Sequence, residues 1–132
     1  MRVEHHLRNL KESLEEVEAA VEKGVLLRQR TIGFHTSAAC VDMLEIYLHK
    51  KNLIPLSFIL KHEWFASKNK IQEKVSFPFS RKDEILSLIS KVELKRNILC
   101  YGKQQPEQDI EELLHHFNSL RNIMEELGVF DE

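Results

Sequence analysis

The chain has 132 residues with 19 Lys and Arg against 21 Asp and Glu, a formal charge of -2. That length suits one domain, residues 1–132, with a core of its own. No stretch reaches the roughly 18 consecutive apolar residues that a membrane span requires. Cys40 and Cys100 form no CxxC pair and fall on helix-like stretches, so two half-buried thiols in a reducing cytosol are expected and a disulfide has no support from spacing.

The charge is unevenly spread. Residues 1–49 carry 6 Lys/Arg and 8 Asp/Glu, residues 50–103 carry 12 and 5, and residues 104–132 carry 1 and 8, so the three segments stand at -2, +7 and -7. A middle segment at +7 attracts phosphate, although solvated helix faces that merely segregate give the same sums. The first twenty residues alternate charge with single aliphatics, which argues against a signal peptide and for a cytoplasmic location.

Val3, Leu7, Leu10, Leu14, Val17 and Val21 recur at steps of four and three, the signature of an amphipathic first helix whose apolar seam is narrow. Gly24 ends it. A second helix is expected over about 28–51, with Phe34, Ala38, Val41, Leu44 and Leu48 on its inner face and Gly33 weakening it locally. Asn52 and Pro55 stop it, because proline disfavours helix in the residue before it and lacks a donor.

The apolar set Phe58, Ile59, Leu60, Trp64 and Phe65 suggests a short third helix from Ser57 to about Ser67, extended by the basic stretch to Lys74. Val75 to Phe79 reads as a loop whose two phenylalanines lid the core. Ser80 with Asp83 three residues on has the spacing of a capping box that would open a fourth helix. Ile85, Leu88, Ile89, Val92, Ile98 and Leu99 mark its buried stripe, and Gly102 ends it. Pro106 stands at a first-turn position ahead of Glu107, Asp109, Glu111 and Glu112, and Ile110, Leu113, Leu114, Phe117, Leu120, Met124 and Leu127 line one face as far as Gly128. The expected fold is all-α, an up-down four-helix bundle with one short additional helix.

Seven histidines raise the question of a metal. Di-iron bundles use two Glu-x-x-His motifs, and this chain has one, Glu112 to His115; Glu45 to His49 has the wrong spacing for that role. The adjacent pairs His5-His6 and His115-His116 diverge by about 100° around a helix. Solvated or partly packed histidines are therefore expected, with no metal and no cofactor. Glycine-rich phosphate loops are absent, and Cys100, one turn from Arg96, reads as a structural thiol even though the arginine favours a thiolate.

The most informative run is Arg96-Asn97-Ile98-Leu99-Cys100-Tyr101, which sets an arginine and a phenol near a helix end inside the basic segment. Together with Phe34 to Cys40, Tyr47 to Lys51 and the acidic closing helix, this run resembles the HEPN superfamily over most of the chain. The family consists of compact helical bundles often found as the toxin beside a small nucleotidyltransferase. Its active ribonucleases cut RNA without metal, at a site completed across a homodimer. The resemblance implies catalytic roles for Arg96, Asn97 and Tyr101, with Arg96, Lys95 and Lys103 contacting phosphate.

One departure strikes at catalysis. The family usually places histidine five residues after the arginine, where this chain has Tyr101; a further tyrosine two positions on is Lys103 here. Histidine, with a pKa of about 6.5, populates both protonation states at neutral pH, whereas tyrosine, with a pKa of about 10, is ionised roughly one part in a thousand. The expectation is an RNA- or nucleotide-directed protein with impaired or lost ribonuclease activity, acting at a homodimer cleft where Arg96, Asn97 and Tyr101 converge. Tyr101 is also a candidate for modification by a partner nucleotidyltransferase. The alternative is a non-catalytic homodimeric module that binds a nucleotide or a partner protein.

Overall fold

The first helix, α1 (Val3–Lys23), ends at Gly24 as its sequence requires, but it buries a face one residue round from the expected seam. His6, Leu10, Ser13, Val17 and Ala20 are covered, while Leu7 and Val21 are exposed. Small and polar side chains let α1 lie close along α2 (Gln29–Lys50), and an apolar count overlooks them. In the computed structural model, which describes residues 2–131, these helices are joined by a short 3-10 turn at Val25–Leu27.

Helix α2 is the central element. It packs against α1, α4 and α5, so from Asp42 to Leu48 every residue is buried and no single inner face exists. The expected stripe therefore holds only in part: Leu44 and Leu48 are core, Ala38 and Val41 are partly covered, and Phe34 is 46% exposed.

After α2 the chain runs without helix to residue 61, where Ile54 and Leu60 anchor it to the core and Ile59 faces outward. The expected third helix is thus displaced. A 3-10 turn spans His62–Ala66, and α3 covers Lys68–Lys74, its first turn capped by Ser67 Oγ accepting from the Lys70 amide at 3.2 Å. Phe77 and Phe79 do pack onto the core, Phe79 against Tyr47.

The fourth helix, α4 (Lys82–Tyr101), opens differently from the expected capping box. Arg81 occupies the cap position with a left-handed φ of 59°, and its guanidinium bridges Glu84 and Glu126 rather than any serine cap forming. Ile85, Leu86, Ile89, Val92, Leu99 and Cys100 are buried, whereas Ile98 faces out. α5 (Glu107–Glu126) follows with Pro106 as its cap, one position earlier than expected. Its far end closes through Gly128 at φ 83°, with the Val129 amide donating back to the Met124 carbonyl at 3.0 Å. Lys50 Nζ ties this end to α2 by donating to the carbonyls of Gly128, Val129 and Asp131.

Among the described residues the fold is all-helical, with no strand and no helix long and apolar enough to cross a membrane. One hydrophobic cluster draws on all five α-helices. Both cysteines are free and more deeply covered than expected, Cys40 completely.

Candidate functional site

The start of α2 meets the end of α4 at Gly33. A Cβ built there would stand 2.7 Å from Leu99 Cβ and 3.3 Å from Cys100 Sγ, so glycine allows an approach that alanine would oppose. This glycine is the contact point of a helix crossing, where the sequence suggested only a weak spot. The crossing sets Arg30 and Phe34 of α2 beside Arg96 and Tyr101 of α4.

Gln29 fixes the same corner. Its Nε2 donates to the carbonyls of Leu99 and Lys103 at 3.3 and 3.1 Å, and its Oε1 accepts from Gln104 Nε2 and the Gln105 amide at 2.9 and 2.8 Å. One buried side chain thereby satisfies the end of α4 and orders the turn that follows. Cys100 Sγ, 3.8 Å from the Arg30 carbonyl, adds a weaker tie. Burial pushes the Cys100 thiol up, and the nearby Arg96 and Arg30 only partly oppose it, so the thiolate-favouring arginine does not prevail.

Two guanidinium groups lie over two aromatic rings at this corner. The Arg96 guanidinium carbon is 5.5 Å from the Phe34 ring centroid, and that of Arg30 is 5.8 Å from the Tyr101 centroid. Among the described residues neither arginine has a carboxylate within ion-pair distance. Phe34 is 46% and Tyr101 70% exposed, so both rings present a face or an edge to solvent. Asn97 is exposed, and its carboxamide makes no hydrogen bond among the described residues. Lys95 and Lys103 are exposed as well.

The three motif residues do not converge within one chain. Asn97 and Tyr101 are four apart and share a helix face, while Arg96 stands about 140° round from Tyr101 and turns to Phe34. The cation over the Tyr101 ring comes from α2. Arg30 and Phe34 were missed in the sequence because Arg30 lies in an undistinguished stretch and Phe34 fits a buried register; only the helix crossing relates them to the motif.

Along α4, Leu94, Ile98 and Tyr101 form an outward stripe at steps of four and three, with Leu94 64% and Ile98 41% exposed. Leu94 also borders a groove of about 800 Å³ between α4 and the segment Phe65 to Gln72, into which Lys68, Lys82 and Lys91 bring positive charge against the single carboxylate of Asp83. The groove and the stripe are continuous through Leu94.

A second polar constellation lies between α1 and α2. His6 is buried, more deeply than the solvated or partly packed histidine expected: its Nδ1 is 2.8 Å from Asp42 Oδ1, and its Nε2 is 2.7 Å from Glu45 Oε2. Burial alone would lower the His6 pKa, but the two carboxylates outweigh it and hold it at about 9. Burial pushes Asp42 up and His49 down. The Glu112–His115 motif gives no such cluster: His115 is exposed, and Glu112 lies 3.7 Å from His116 instead. Sequence spacing cannot reveal a cluster whose members come from residues 6 and 42–49.

No family model, no curated protein and no solved structure matches the chain significantly.

Proposed function

We propose that this chain is a HEPN-like up-down bundle that binds single-stranded RNA or a nucleotide at the α2–α4 corner, in a cleft completed by a second copy. The observation that carries the reading is the pair of arginines, without carboxylate partners among the described residues, held over exposed rings, Arg96 on Phe34 and Arg30 on Tyr101. A guanidinium offers a planar fork to a phosphate, and an exposed ring offers a stacking face to a base. The Leu94, Ile98 and Tyr101 stripe supports the second copy, since it leaves apolar surface beside the motif, and the lysine-lined groove supplies a path for further phosphates. Cleavage is impaired in this reading, because among the described residues Tyr101 makes no hydrogen bond to an imidazole or carboxylate that would take its proton. The resemblance adds a small nucleotidyltransferase as a partner, and the free thiols of Cys40 and Cys100 suit a cytoplasmic setting.

Fluorescence anisotropy with a labelled single-stranded RNA, in EDTA and low salt, tests the proposal. Binding that weakens about tenfold or more in Arg96→Ala and in Arg30→Ala is expected, with the RNA left largely intact. Wild-type protein that binds no RNA, or an Arg96→Ala variant that binds equally well, would end it. The apolar stripe favours a second reading, a docking face for a partner protein without RNA; retention of that partner by wild type but not by Ile98→Glu, with no RNA binding, would select it.

A further inference from the structure

The His6 constellation lies outside the proposed RNA-binding corner and its chemistry is of another kind. One donor atom each from His6, Glu45 and His49 lies within 4.8 Å of the other two, where α1 crosses α2. Among the described residues, the Nε2 atoms of both histidines are shielded from solvent and without a hydrogen bond. Two such nitrogens in one place are unusual, because buried polar atoms nearly always find a partner. The His6 contact with Glu45 is short but out of line for an N–H donor.

The geometry points to a divalent metal site, with His6 Nε2, His49 Nε2 and one Glu45 oxygen as ligands and Zn2+ as the best-suited ion. Two imidazoles and a carboxylate form a donor set that zinc takes in a tetrahedral arrangement with one position left for water. The surroundings are already arranged for it. Asp42 Oδ1 accepts from Nδ1 of His6 at 2.8 Å, which fixes the ring so that Nε2 faces Glu45 and would serve as a ligand once a metal displaces its proton. Glu45 Oε1 is held by the Leu60 amide at 3.1 Å, so Oε2 is the oxygen left to bind. Glu45 and His49 are one turn apart on α2 and share a face.

Charge argues the same way. Asp42 and Glu45 bring two carboxylates into one buried place beside two imidazoles. A dication balances both carboxylates and partners both nitrogens. Ligand atoms on bonds of about 2.1 Å stand roughly 3.4 Å apart at tetrahedral angles, a spacing between the 2.7 Å of His6 Nε2 to Glu45 Oε2 and the 4.8 Å that bounds the cluster. The ion would tie the first turns of α1 to the C-terminal half of α2.

The test uses the tag-free full chain, stripped with EDTA, dialysed and titrated with Co2+ and with Zn2+. One equivalent of Co2+ giving the strong visible bands of a four-coordinate site is expected, with a rise in melting temperature on one equivalent of Zn2+. Both responses should vanish in His49→Ala and persist in the double variant His115→Ala, His116→Ala. Asp42→Asn, which alters the positioning residue alone, should weaken Zn2+ affinity by about 10- to 100-fold. Nitrogen-15 shifts of the imidazoles in wild type give a reading that needs no variant: zinc should move the Nε2 signals of His6 and His49 together. Absent Co2+ bands, bands that survive His49→Ala, or His6 Nε2 signals unmoved by zinc would overturn the site. None of these readouts depends on RNA binding.

Discussion

Gly33 has consequences far larger than its size. With Leu99 Cβ 2.7 Å from where its own Cβ would stand, Gly33→Ala must push α2 and α4 apart or shift Leu99. A loss of about 1–3 kcal/mol is expected, read as a lower denaturation midpoint, and RNA affinity should fall with it because the Arg30–Tyr101 and Arg96–Phe34 pairs span the same crossing. Unchanged stability would mean the crossing is looser than its geometry. The two thiols give a second check at this scale. Burial raises both above an ordinary cysteine, Cys40 the more strongly, so fewer thiolates exist at neutral pH and alkylation should need more alkaline solution than a free thiol does. Cys100 should react first and Cys40 only on unfolding, as mass spectrometry after timed iodoacetamide treatment would show. Equal rates for the two would contradict their burial.

Among the elements, the end of α4 depends on a side chain from α2. Gln29→Ala removes two donors and an acceptor from the carbonyls and amides of residues 99–105, leaving the turn after the motif without its anchor. The expected cost is about 1–3 kcal/mol. Hydrogen exchange should quicken at the Gln105 amide, which donates to Gln29 Oε1, well before it does in α5; protection unchanged there would show that the turn holds itself. The elements also show where the sequence could be followed. The boundaries of α1, α2, α4 and α5 were legible from Gly24, Asn52, Gly102, Pro106 and Gly128, since glycine and proline act through the local backbone. The face each helix buries was less legible. α1 turned by one residue because His6, Ser13 and Ala20 pack against α2, and Phe34 is left half-exposed because Gly33 makes the close contact with α4 at the crossing. The third helix was displaced because a short apolar run without a period fits irregular chain as well as it fits helix.

For the molecule as a whole, the prediction concerns assembly. The stripe Leu94, Ile98 and Tyr101 is exposed in one chain, and the proposed cleft places a second chain over it. Light scattering on wild-type protein should give a dimer, and Ile98→Glu should give a folded monomer, since a side chain already 41% exposed costs little when charged unless a partner covers it. A wild-type monomer at micromolar concentration would remove the cleft. RNA binding should fall steeply with salt if the segment at +7 carries it, because each phosphate contact releases counterions.

What the sequence determined by itself is local: the all-helical class, the ends of the four long helices, the charge segregation and the Arg96 to Tyr101 motif all follow from periods and residue types within a turn or two of chain. Tertiary structure decided which side chains meet across long separations. It placed Arg30 over Tyr101, Arg96 over Phe34, Gln29 under the motif's end and His6 among Asp42, Glu45 and His49. The rotation of one helix against another sets those meetings, and that rotation depends on side-chain shape at each crossing, which no periodicity within a single helix encodes.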